Sequence, residues 1–584
     1  MTPGGSQIPE FGRRFFGAEE TFTRIGTGEM GGKAAGLERV HGRVLPAFPA
    51  DEFPQIEVAV PTLTILMTDV FAEFMELNNL YDAALSDRSD DRIAHAFQKT
   101  QFPARYIGDL RALISKVHTP LAVRSSSLLE DALAHPFAGV YGTKMIPNNQ
   151  SGVDQRFNRL VEAIKFVYAS TFFRGARSYR RSVGQDDRAE RMAVVIQEVV
   201  GRRIDDNFYP TLSGVARSYN YYPTGHSEPE DGVVNLALGL GKQIVDGGLS
   251  WNYSPAYPQA PAPFNNVGDL IKNTQTKFWA VHMGRPPIPD PVREAEYLVE
   301  RDLAAAERDS ALQHLVSSYD PRSDRLRPGL GAAGPRVLDF APLLKFGAAP
   351  LNDLIRRLLD QTEKAAGAEV EIEFAMNLHG KTALPARFGF LQARPMAVSD
   401  EEVTVAESEL QAPQTIVASD LVLGNGLRDD IRDVVYVKPE TFEAKLTPVI
   451  AAELEQLNRG LMRGESPYLL IGFGRWGSSD PWLGTPVEWG QICGARVMVE
   501  ATLPEMNPDL SQGSHFFHNL ISFKILYLSV RQHGASRIDW EWLARQPAAA
   551  EARYVRHVQT ERPLRVAVDG RGGRGMVQHE QETG

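Results

Sequence analysis

The amino-acid sequence predicts an α/β (α+β) protein with at least two domains, and three observations support this prediction. The chain has 584 residues, and single hydrophobic cores usually divide beyond about 250–300 residues. Short apolar runs typical of strands alternate with runs whose apolar residues recur at helical spacing. Hydrophobic residues make up 43% of the chain and charged residues 23%, which is the composition of a globular protein.

The first informative segment is glycine-rich and reads IGTGEMGGKAAGL from Ile25. It places Lys33 among five glycines, ahead of a run that is compatible with a helix. Glycines let backbone N–H groups approach an anion closely, and the lysine adds a point charge. The segment is not a P-loop, because Thr27 and Ala34 stand where that motif requires Gly and Ser or Thr. Taken alone, it is explained more simply as a surface turn.

The second segment reads LAVRSSSLLEDALAHPFAGVYGT from Leu121. We expect Val123 to end a buried strand and Arg124 to present a planar fork of donors that suits phosphate oxygens. The three following serines, of which Ser125 is the first, are expected to cap a helix and to offer hydroxyl groups. A capped helix after a strand explains this segment equally well.

The middle of the first domain continues the α/β pattern. Apolar residues from Leu160 to Tyr168 recur at helical spacing, MAVVIQEVVG from Met192 indicates a buried strand, and ALGLGKQIVDGG supplies another glycine loop. Proline- and glycine-rich stretches from Tyr253 and from Tyr319 are expected to be loops that bracket a helical insertion, around residues 255–350. The run PLNDLIRRLLDQTEKAAG then predicts a helix.

A hairpin is predicted from EVEIEFAMN and FGFLQARPM, two apolar-rich runs separated by LHGKTALPAR, which contains turn-forming glycine and proline. Because strand side chains alternate, Glu371 and Glu373 share one face, and Gln392 and Arg394 share a face of the partner strand. Carboxylates suit Mg²⁺, which needs one or two of them beside nucleotide phosphates, and an arginine can brace a transferred phosphoryl group. A solvated hairpin with a cross-strand ion pair is the simpler alternative.

Together these segments resemble the nucleotide-binding domain of the phosphoenolpyruvate synthase and pyruvate phosphate dikinase family. That family carries Gly-Gly-Lys near its start, an arginine with paired serines and Glu-Asp before Phe-Ala-Gly, an Ile-Glu-aromatic-Ala strand and a Gln-x-Arg-Pro strand. The resemblance covers residues 20–397, with an interruption around 255–350. The matching residues are Lys33, Arg124, Ser125, Ser126, Glu130, Asp131, Phe137, Ala138, Gly139, Ile372, Glu373, Phe374, Ala375, Gln392, Arg394 and Pro395.

The resemblance implies an ATP-grasp fold that binds ATP with Mg²⁺. Lys33 and Arg124, with Ser125 beside them, would hold the nucleotide phosphates. Glu373 would be the metal ligand, with Glu371 as a second candidate ligand. Gln392 and Arg394 would orient the reacting phosphates, which makes Arg124 and Arg394 the candidate catalytic residues.

The chain also departs from the family pattern. Asn235 and Lys242 stand around the Gly-Leu-Gly loop where the family usually has acidic residues, and an expected arginine is displaced, which leaves Gly175 between Arg174 and Arg177. We therefore expect nucleotide geometry or turnover to differ from that of the family.

The rest of the chain does not resemble the phosphohistidine domain or the pyruvate-binding barrel of a complete dikinase. Residues 1–19 are expected to be an extension, 20–398 the first domain, 399–414 a linker, 415–562 a second α/β domain and 563–584, which is rich in arginine and glycine, a disordered tail. In the second domain VVYVKP, YLLIGFG and ARVMVEATL predict strands, and HFFHNLISFKILYLSV predicts a helix.

Two polar clusters stand out in the second domain. GFGRWGSSDPWLG places Arg475 among glycines and tryptophans, which suits an anion or a planar ring, or else forms a rigid aromatic turn. SQGSHFFHN puts His515 and His518 near a predicted helix start. We hypothesise that His515 accepts phosphate, because Gly-Ser-His is superficially like the family's phosphohistidine loop. Two partly buried structural histidines are the simpler alternative.

Charge and composition exclude several classes of protein and indicate the cellular location. The net charge of −11 argues against broad nucleic-acid binding, which needs a basic surface. No apolar run has membrane-spanning length and the start of the sequence lacks a signal pattern, so the cytoplasm is the expected location. Cys493 is the only cysteine, which excludes an intramolecular disulfide and predicts a packed apolar side chain.

These predictions combine into an ATP-dependent phosphotransferase with Mg²⁺ as its metal. The acceptor is a histidine of this chain, a partner protein or a small molecule, and the sequence does not choose among them. The alternative is a nucleotide-binding regulatory module without phosphotransfer, because the dikinase's other modules are missing. Retention of the metal-site and arginine residues favours the enzyme.

Overall fold

The structure is a computed structural model that describes residues 8–13, 21–49, 51–130, 139–182, 184–223, 226–260, 267–272, 274–378, 385–396, 403–464, 466–478, 480–503, 520, 523, 525–531 and 536–580. These residues form two compact units. The first lies within Met1–Ser218, Asp231–Ile244 and Leu249–Met396, and the second within Tyr219–Glu230, Val245–Gly248 and Ala397–Gly584. Both mix helices and strands, as predicted.

The first unit contains eighteen named strands and thirteen named α-helices among its described residues. The strands are β1 (Phe22–Ile25), β2 (Ile56–Ala59), β3 (Leu63–Leu66), β4 (Leu121–Ser127), β5 (Thr143–Ile146), β6 (Met192–Glu198), β7 (Arg202–Ile204), β8 (Asn207–Tyr209), β9 (Leu212–Arg217), β10 (Val233–Ala237), β11 (Trp251–Tyr253), β12 (Lys277–His282), β13 (Leu298–Asp302), β14 (Ser317–Asp320), β15 (Arg325–Pro328), β16 (Arg336–Val337), β17 (Val370–Asn377) and β18 (Ala386–Pro395). The helices are α1 (Gly31–Arg39), α2 (Leu45–Ala47), α3 (Thr68–Leu77), α4 (Tyr81–Ala84), α5 (Asp90–Gln98), α6 (Ala104–Lys116), α7 (Val153–Ser170), α8 (Arg174–Ser182), α9 (Lys242–Val245), α10 (Val267–Lys272), α11 (Leu303–Arg308), α12 (Ala341–Leu344) and α13 (Leu351–Ala366).

Two sheets of the first unit carry the site. One has the strand order β1-β3-β6-β4-β5, and the other has the order β11-β10-β9-β17-β18-β2. Helix α1 packs against β4 of the first sheet and β18 of the second. A single hydrophobic cluster includes Leu37 of α1, Val195 of β6 and Phe374 of β17. This shared core holds the polar ends of β4, β17 and β18 near one another.

Strongly periodic elements match the sequence predictions. The helix predicted around Leu160 is α7, the helix predicted from Pro350 is α13, and the predicted hairpin is the antiparallel pair β17–β18. Helix α13 buries a stripe of leucines at helical spacing against these strands and ends at Gly367, whose φ of +71° suits a glycine C-cap.

Three predictions for the first unit are wrong. Strand β4 does not end at Val123 but continues through Ser127, because Ser125, Ser126 and Ser127 pair with β6. The insertion is not purely helical, since β12 pairs with both β8 and β13 there. The stretch from Tyr319 is not a loop, because β14 and β15 form a hairpin in it. In each case pairing with a distant or turn-linked strand overrides the local composition.

The second unit contains twelve named strands and four named α-helices among its described residues. The strands are β19 (Thr415–Ser419), β20 (Val422–Leu423), β21 (Gly426–Val437), β22 (Tyr468–Phe473), β23 (Arg475–Trp476), β24 (Gly484–Thr485), β25 (Ala495–Ala501), β26 (Leu526–Val530), β27 (Arg537–Ile538), β28 (Ala548–Glu551), β29 (Val555–Asp569) and β30 (Arg574–Gln578). The helices are α14 (Glu407–Leu410), α15 (Thr447–Arg463), α16 (Trp489–Ile492) and α17 (Trp540–Arg545).

One large sheet organises the second unit, in the order β20-β26-β25-β22-β21-β29-β30-β19-β27 with β28 beside β29. Strands β21, β22, β25 and β26 run parallel, and the three strands predicted for this region are β21, β22 and β25. The predicted helix up to Val530 is wrong over Leu526–Val530, which is the parallel strand β26. The predicted disordered tail is also wrong over residues 563–580, because β29 and β30 form a hairpin around the Arg-Gly run, and Met576 and Val577 are fully buried.

Within the part of the chain that the structure describes, no helix combines the length and the apolar character that crossing a membrane would require. Cys493 is buried, as its lone occurrence predicts.

Candidate functional site

Lys33 lies in the first turn of α1, and its ammonium group is buried against β4. The residue is 6% exposed, and its Nζ donates to the Ser125 Oγ at 3.1 Å and forms an ion pair with Glu130. Glu130 also accepts from the Ser125 Oγ at 3.0 Å and from the Ser127 N–H at 2.9 Å. The structure therefore brings the predicted site residues Lys33 and Ser125 into contact, and the Glu130 carboxylate contacts both.

The glycine loop before α1 is held by side chains of α3. The N–H groups of Thr27 and Gly28 donate to the Asp69 carboxylate at 3.0 and 3.2 Å, and the Glu29 N–H donates to the Thr68 Oγ1 at 2.9 Å. These three N–H groups thus have intramolecular acceptors, contrary to the expectation that the loop offers them to an anion. The glycines serve close packing instead, since a Cβ on Gly28 would lie 2.6 Å from the Thr68 Oγ1.

A cavity of about 410 Å³ opens at the N-terminal end of α1. Its lining is mainly backbone and apolar side chains, contributed by Gly28, Glu29, Met30, Gly31, Gly32, Ala35, Met67 and Leu128. The volume lies within the range of small-molecule pockets. Gly31 is required here, because its φ is +74° and a Cβ would lie 1.9 Å from the Ser126 carbonyl oxygen.

Arg124 links β4 to the predicted hairpin. Its Nη2 donates to the Gln392 Oε1 at 2.9 Å and lies 3.5 Å from the Glu373 Oε2. Its Nη1 donates to the Leu391 carbonyl. Since Glu373 and Gln392 are cross-strand partners in β17 and β18, the structure brings together three residues that the sequence analysis had assigned to one site.

Glu371 is clamped between two buried arginines. Arg394 donates through Nε to the Glu371 Oε1 at 2.8 Å, and Arg217 of β9 donates through Nε to the Oε2 at 2.6 Å. All three side chains are 1% exposed. Arg217 was not predicted as a site residue, and its place follows from the pairing of Glu371 in β17 with Arg217 in β9. Two arginines on one carboxylate leave a local excess of positive charge.

The residues present fit a magnesium ion only with help from the nucleotide. The described residues contain no group of three or more His, Cys, Asp or Glu side chains that could hold a metal. Glu373 and Gln392 still place a carboxylate and an amide oxygen on paired positions, and Mg²⁺ needs one or two carboxylates when phosphates supply further oxygens. Asn235 of β10 pairs with Val215 of β9, and Val215 in turn pairs with Glu373 of β17. The buried Oδ1 of Asn235 makes no hydrogen bond within the described residues.

The other residues flagged in the sequence have structural contacts. Lys242 places its Nζ 5.7 Å from the centre of the Trp279 ring. Arg177 donates to the carbonyl groups of Leu85 and Ser86 at 3.0 and 2.7 Å. In the second unit, Arg475 is 5% exposed and donates to the Gly247 carbonyl at 2.8 Å, so its turn is packed. His515, His518, Asp131, Phe137 and Ala138 lie outside the described residues.

Next to Arg475, the end of β25 carries a buried carboxyl group. The Glu500 Oε1 accepts from the Trp476 N–H at 2.7 Å. Burial raises the pKa of Glu500 to about 7, although the hydrogen bonds from Tyr527 and Trp476 and the charge of Arg475 oppose the shift. The buried hydroxyl of Tyr222 has its own pKa raised by burial and by the Glu500 charge.

Comparison with known proteins matches more than half of the chain to one family of nucleotide-binding domains. The family described as "Pyruvate phosphate dikinase, AMP/ATP-binding domain" matches residues 27–414. The chain is 22% identical to an "Uncharacterized phosphotransferase YvkC" of Bacillus subtilis (strain 168) over 60% of its own length and 33% of the relative's.

Two further relatives match shorter parts of the chain. A rifampicin phosphotransferase of Streptomyces sviceus is 28% identical over 32% of this chain and 22% of its own length. A phosphoenolpyruvate synthase of Aeropyrum pernix is 32% identical over 28% of this chain and 18% of its own length. The chain thus spans about a third or less of the curated relatives it matches.

Proposed function

Because this chain belongs to the pyruvate phosphate dikinase AMP/ATP-binding domain family, we propose that it binds ATP with Mg²⁺ and transfers a phosphoryl group to an acceptor. The observation that carries the proposal is the convergence of Arg124, Glu373 and Gln392 from two sheets. Lys33 adds a second cation on the adjoining helix α1. Phosphoryl transfer depends mainly on positioning and charge stabilisation, and these are what such a set of side chains supplies.

The proposed roles follow from the contacts. Lys33 exchanges part of its contact with Glu130 for a phosphate oxygen, and Arg124 exchanges part of its contact with Glu373 and Gln392. Glu373 and Gln392 would hold Mg²⁺, and the bound ion would neutralise charge on the phosphates. Arg394, fixed by Glu371, adds positive charge beside the reacting phosphates and keeps their orientation. The acceptor atom bonds to phosphorus as the bond to the leaving phosphate oxygen breaks, and the acceptor's proton passes to solvent.

The acceptor is a small molecule, a partner protein or a histidine of this chain. The names of the relatives contain an antibiotic and phosphoenolpyruvate, which supports a small-molecule acceptor that an additional module or partner presents. Within the chain, His515 is the proposed acceptor. Its phosphate would be acid-labile and alkali-stable, so label that survives in the variant His515→Ala would assign the acceptor elsewhere.

Product analysis tests the proposal. The protein is incubated with Mg²⁺ and ATP labelled at the β or the γ phosphate, with the matched variant Glu373→Gln as the control. AMP as product indicates dikinase-like chemistry, and ADP indicates kinase or ATPase chemistry. If folded protein binds ATP but forms neither product with any candidate acceptor, the alternative of a regulatory nucleotide-binding module replaces the proposal.

A further inference from the structure

A buried carboxyl group lies near the end of β4, the strand that carries Ser125 and Ser127, and it has no place in the proposed mechanism. Glu190 stands two residues before β6, at the point where Met192 pairs with Ser127 of β4. It is 5% exposed. Neither carboxyl oxygen makes a hydrogen bond of standard geometry within the described residues. Buried polar groups are nearly always hydrogen-bonded, so an exception calls for an explanation.

The groups around Glu190 connect it to Lys33. Glu130, which forms the ion pair with Lys33, adds to the effect of burial in raising the pKa of Glu190 through its negative charge. Its carboxylate accepts from the Ser127 N–H at 2.9 Å, and Ser127 pairs with Met192, two residues after Glu190. On the other side, Arg180 of α8 contacts the Tyr141 hydroxyl at 3.2 Å and the Asp187 carboxylate at 2.9 Å. Burial and the negative charge of Glu130 raise the pKa of Glu190. The pKa is lowered by the charge of Arg180 and by the hydroxyl groups of Tyr141 and Ser127.

Burial dominates in this environment. It raises the pKa of Glu190 to about 7 against the opposing attraction of Arg180. The carboxyl group therefore carries a proton at mildly acidic pH and loses it above neutrality. The Glu190 side chain therefore gains its negative charge by losing a proton within the physiological range of pH.

We propose that Glu190 is a positioning residue of the nucleotide site, which binds the phosphates of ATP more tightly when Glu190 is protonated. The inference rests on the proposed function, because it takes Lys33 as a phosphate ligand. An ionised Glu190 adds negative charge near Lys33, which both repels the nucleotide phosphates and strengthens the hold on the ammonium group. By linkage, bound ATP favours the protonated carboxyl group, so binding near neutrality takes up protons.

The test measures ATP binding by titration calorimetry at several pH values, in pairs of buffers that differ in ionisation enthalpy, with saturating Mg²⁺. The variant Glu190→Gln keeps the shape of the side chain and removes the titration. Asp186→Asn is the matched control, since this carboxylate is exposed in the same segment and solvent screens its charge. Protonation of the nucleotide itself is common to all three proteins.

We expect ATP affinity of the wild type to fall by about tenfold relative to Glu190→Gln between pH 5.5 and pH 8.5, for a shift of about one pKa unit on binding. Proton uptake near pH 7 should disappear in Glu190→Gln and persist in Asp186→Asn. The variant Tyr141→Phe, which removes a group that favours the ionised form, should move the wild-type inflection to higher pH. If Glu190→Gln does not fold, the proposal can still be tested with Tyr141→Phe.

The possible failures are distinguishable. ATP binding with the same pH profile and proton uptake in the wild type and Glu190→Gln would overturn this inference alone. An unshifted inflection in Tyr141→Phe would do the same. Absence of ATP binding to folded wild-type protein at every pH would overturn the proposed function and this inference with it.

Discussion

At the scale of single residues, Lys33 has two roles that mutation can separate. Its ammonium group is the proposed phosphate ligand, and it also neutralises Glu130, which is 1% exposed. Removal of one partner of a buried ion pair costs about 3–5 kcal/mol, because the other charge remains buried. A loss of ATP binding in a simple alanine variant would therefore be ambiguous.

We predict that Lys33→Met weakens ATP binding and lowers the free energy of unfolding by about 3–5 kcal/mol. The double variant Lys33→Met/Glu130→Gln should recover most of the stability without recovering ATP affinity, since no buried charge is then unpaired. Urea denaturation and calorimetric titration measure the two effects. Wild-type ATP affinity in the double variant would show that Lys33 is not a phosphate ligand.

The two glutamates of β17 should respond differently to the same substitution. Glu371→Gln leaves Arg217 and Arg394 buried without their shared carboxylate, so we expect a loss of about 3 kcal/mol in stability. Glu373→Gln should keep the fold, because glutamine has the same size and the ion pair of Glu373 with Arg124 spans 3.5 Å. It should lower turnover on the order of a hundredfold. Thermal unfolding and Mg²⁺ titration of turnover are the measurements. A wild-type metal response in Glu373→Gln would remove its proposed metal role.

Strand alternation predicts that Glu371 and Glu373 share one face and that Gln392 and Arg394 share another. The family resemblance, and not alternation, assigned Glu373, Gln392 and Arg394 to one site. Neither was sufficient for Arg217, which lies 154 residues from its partner Glu371. Sequence alternation gives the face of a strand but not its neighbour in the sheet. Glu190 was missed for a related reason, since its burial is set by α8 and β4 and not by its own segment.

At the scale of elements, the position of α1 depends on a glycine on its inner face. A Cβ on Gly36 would lie 2.1 Å from the Ala393 carbonyl oxygen of β18. The helix can approach β18 closely only because this side chain is absent. Since α1 also carries Lys33, a displaced helix would separate the lysine from Ser125.

We predict that Gly36→Ala destabilises the protein by about 1–3 kcal/mol, the usual cost of overpacking, and weakens ATP binding. Gly460→Ala in α15 is the matched control, because a Cβ there would meet no atom within 4 Å. Alanine has the higher helix propensity, so this control should gain about 0.5–1 kcal/mol. Denaturant unfolding of both variants checks the contrast, and equal effects would refute the packing argument.

The elements that the sequence predicted correctly have a clear period, such as the leucine stripe of α13. Strand β26 was mistaken for part of a helix because all five of its residues are buried. A strand in a parallel sheet is covered on both faces and loses the polar alternation that would identify it. The hairpin β29–β30 was mistaken for a tail because its turn is rich in glycine and arginine, a composition that disordered segments share.

At the scale of the whole molecule, the boundary between the units does not follow the order of the sequence. Residues 219–230 and 245–248 occur within the family match but belong to the second unit. Arg475 holds the second of these segments through the Gly247 carbonyl, and Tyr222 of the first segment is buried beside Glu500. A domain boundary placed from composition alone could not reveal this, because the two partners are 228 residues apart.

This contact predicts that a substitution at Arg475 changes the backbone around Gly247, far away in the sequence. Arg475→Ala removes the donor to the Gly247 carbonyl, so local opening of residues 245–248 should become easier and their backbone amides should exchange faster by about tenfold for each 1.4 kcal/mol lost. Arg475→Lys keeps a charged donor and should recover part of the protection. Hydrogen exchange followed by mass spectrometry resolves this segment.

The control is Arg459→Ala, which removes an exposed i,i+4 ion pair with Glu455 on α15. Such pairs contribute only about 0.3–0.5 kcal/mol, so exchange at residues 245–248 should stay at the wild-type rate. If Arg475→Ala also leaves that rate unchanged, the segment is held by its own chain neighbours and not by the Arg475 side chain. Faster exchange in Arg475→Ala alone would instead show that the Arg475 side chain fixes the backbone of residues 245–248.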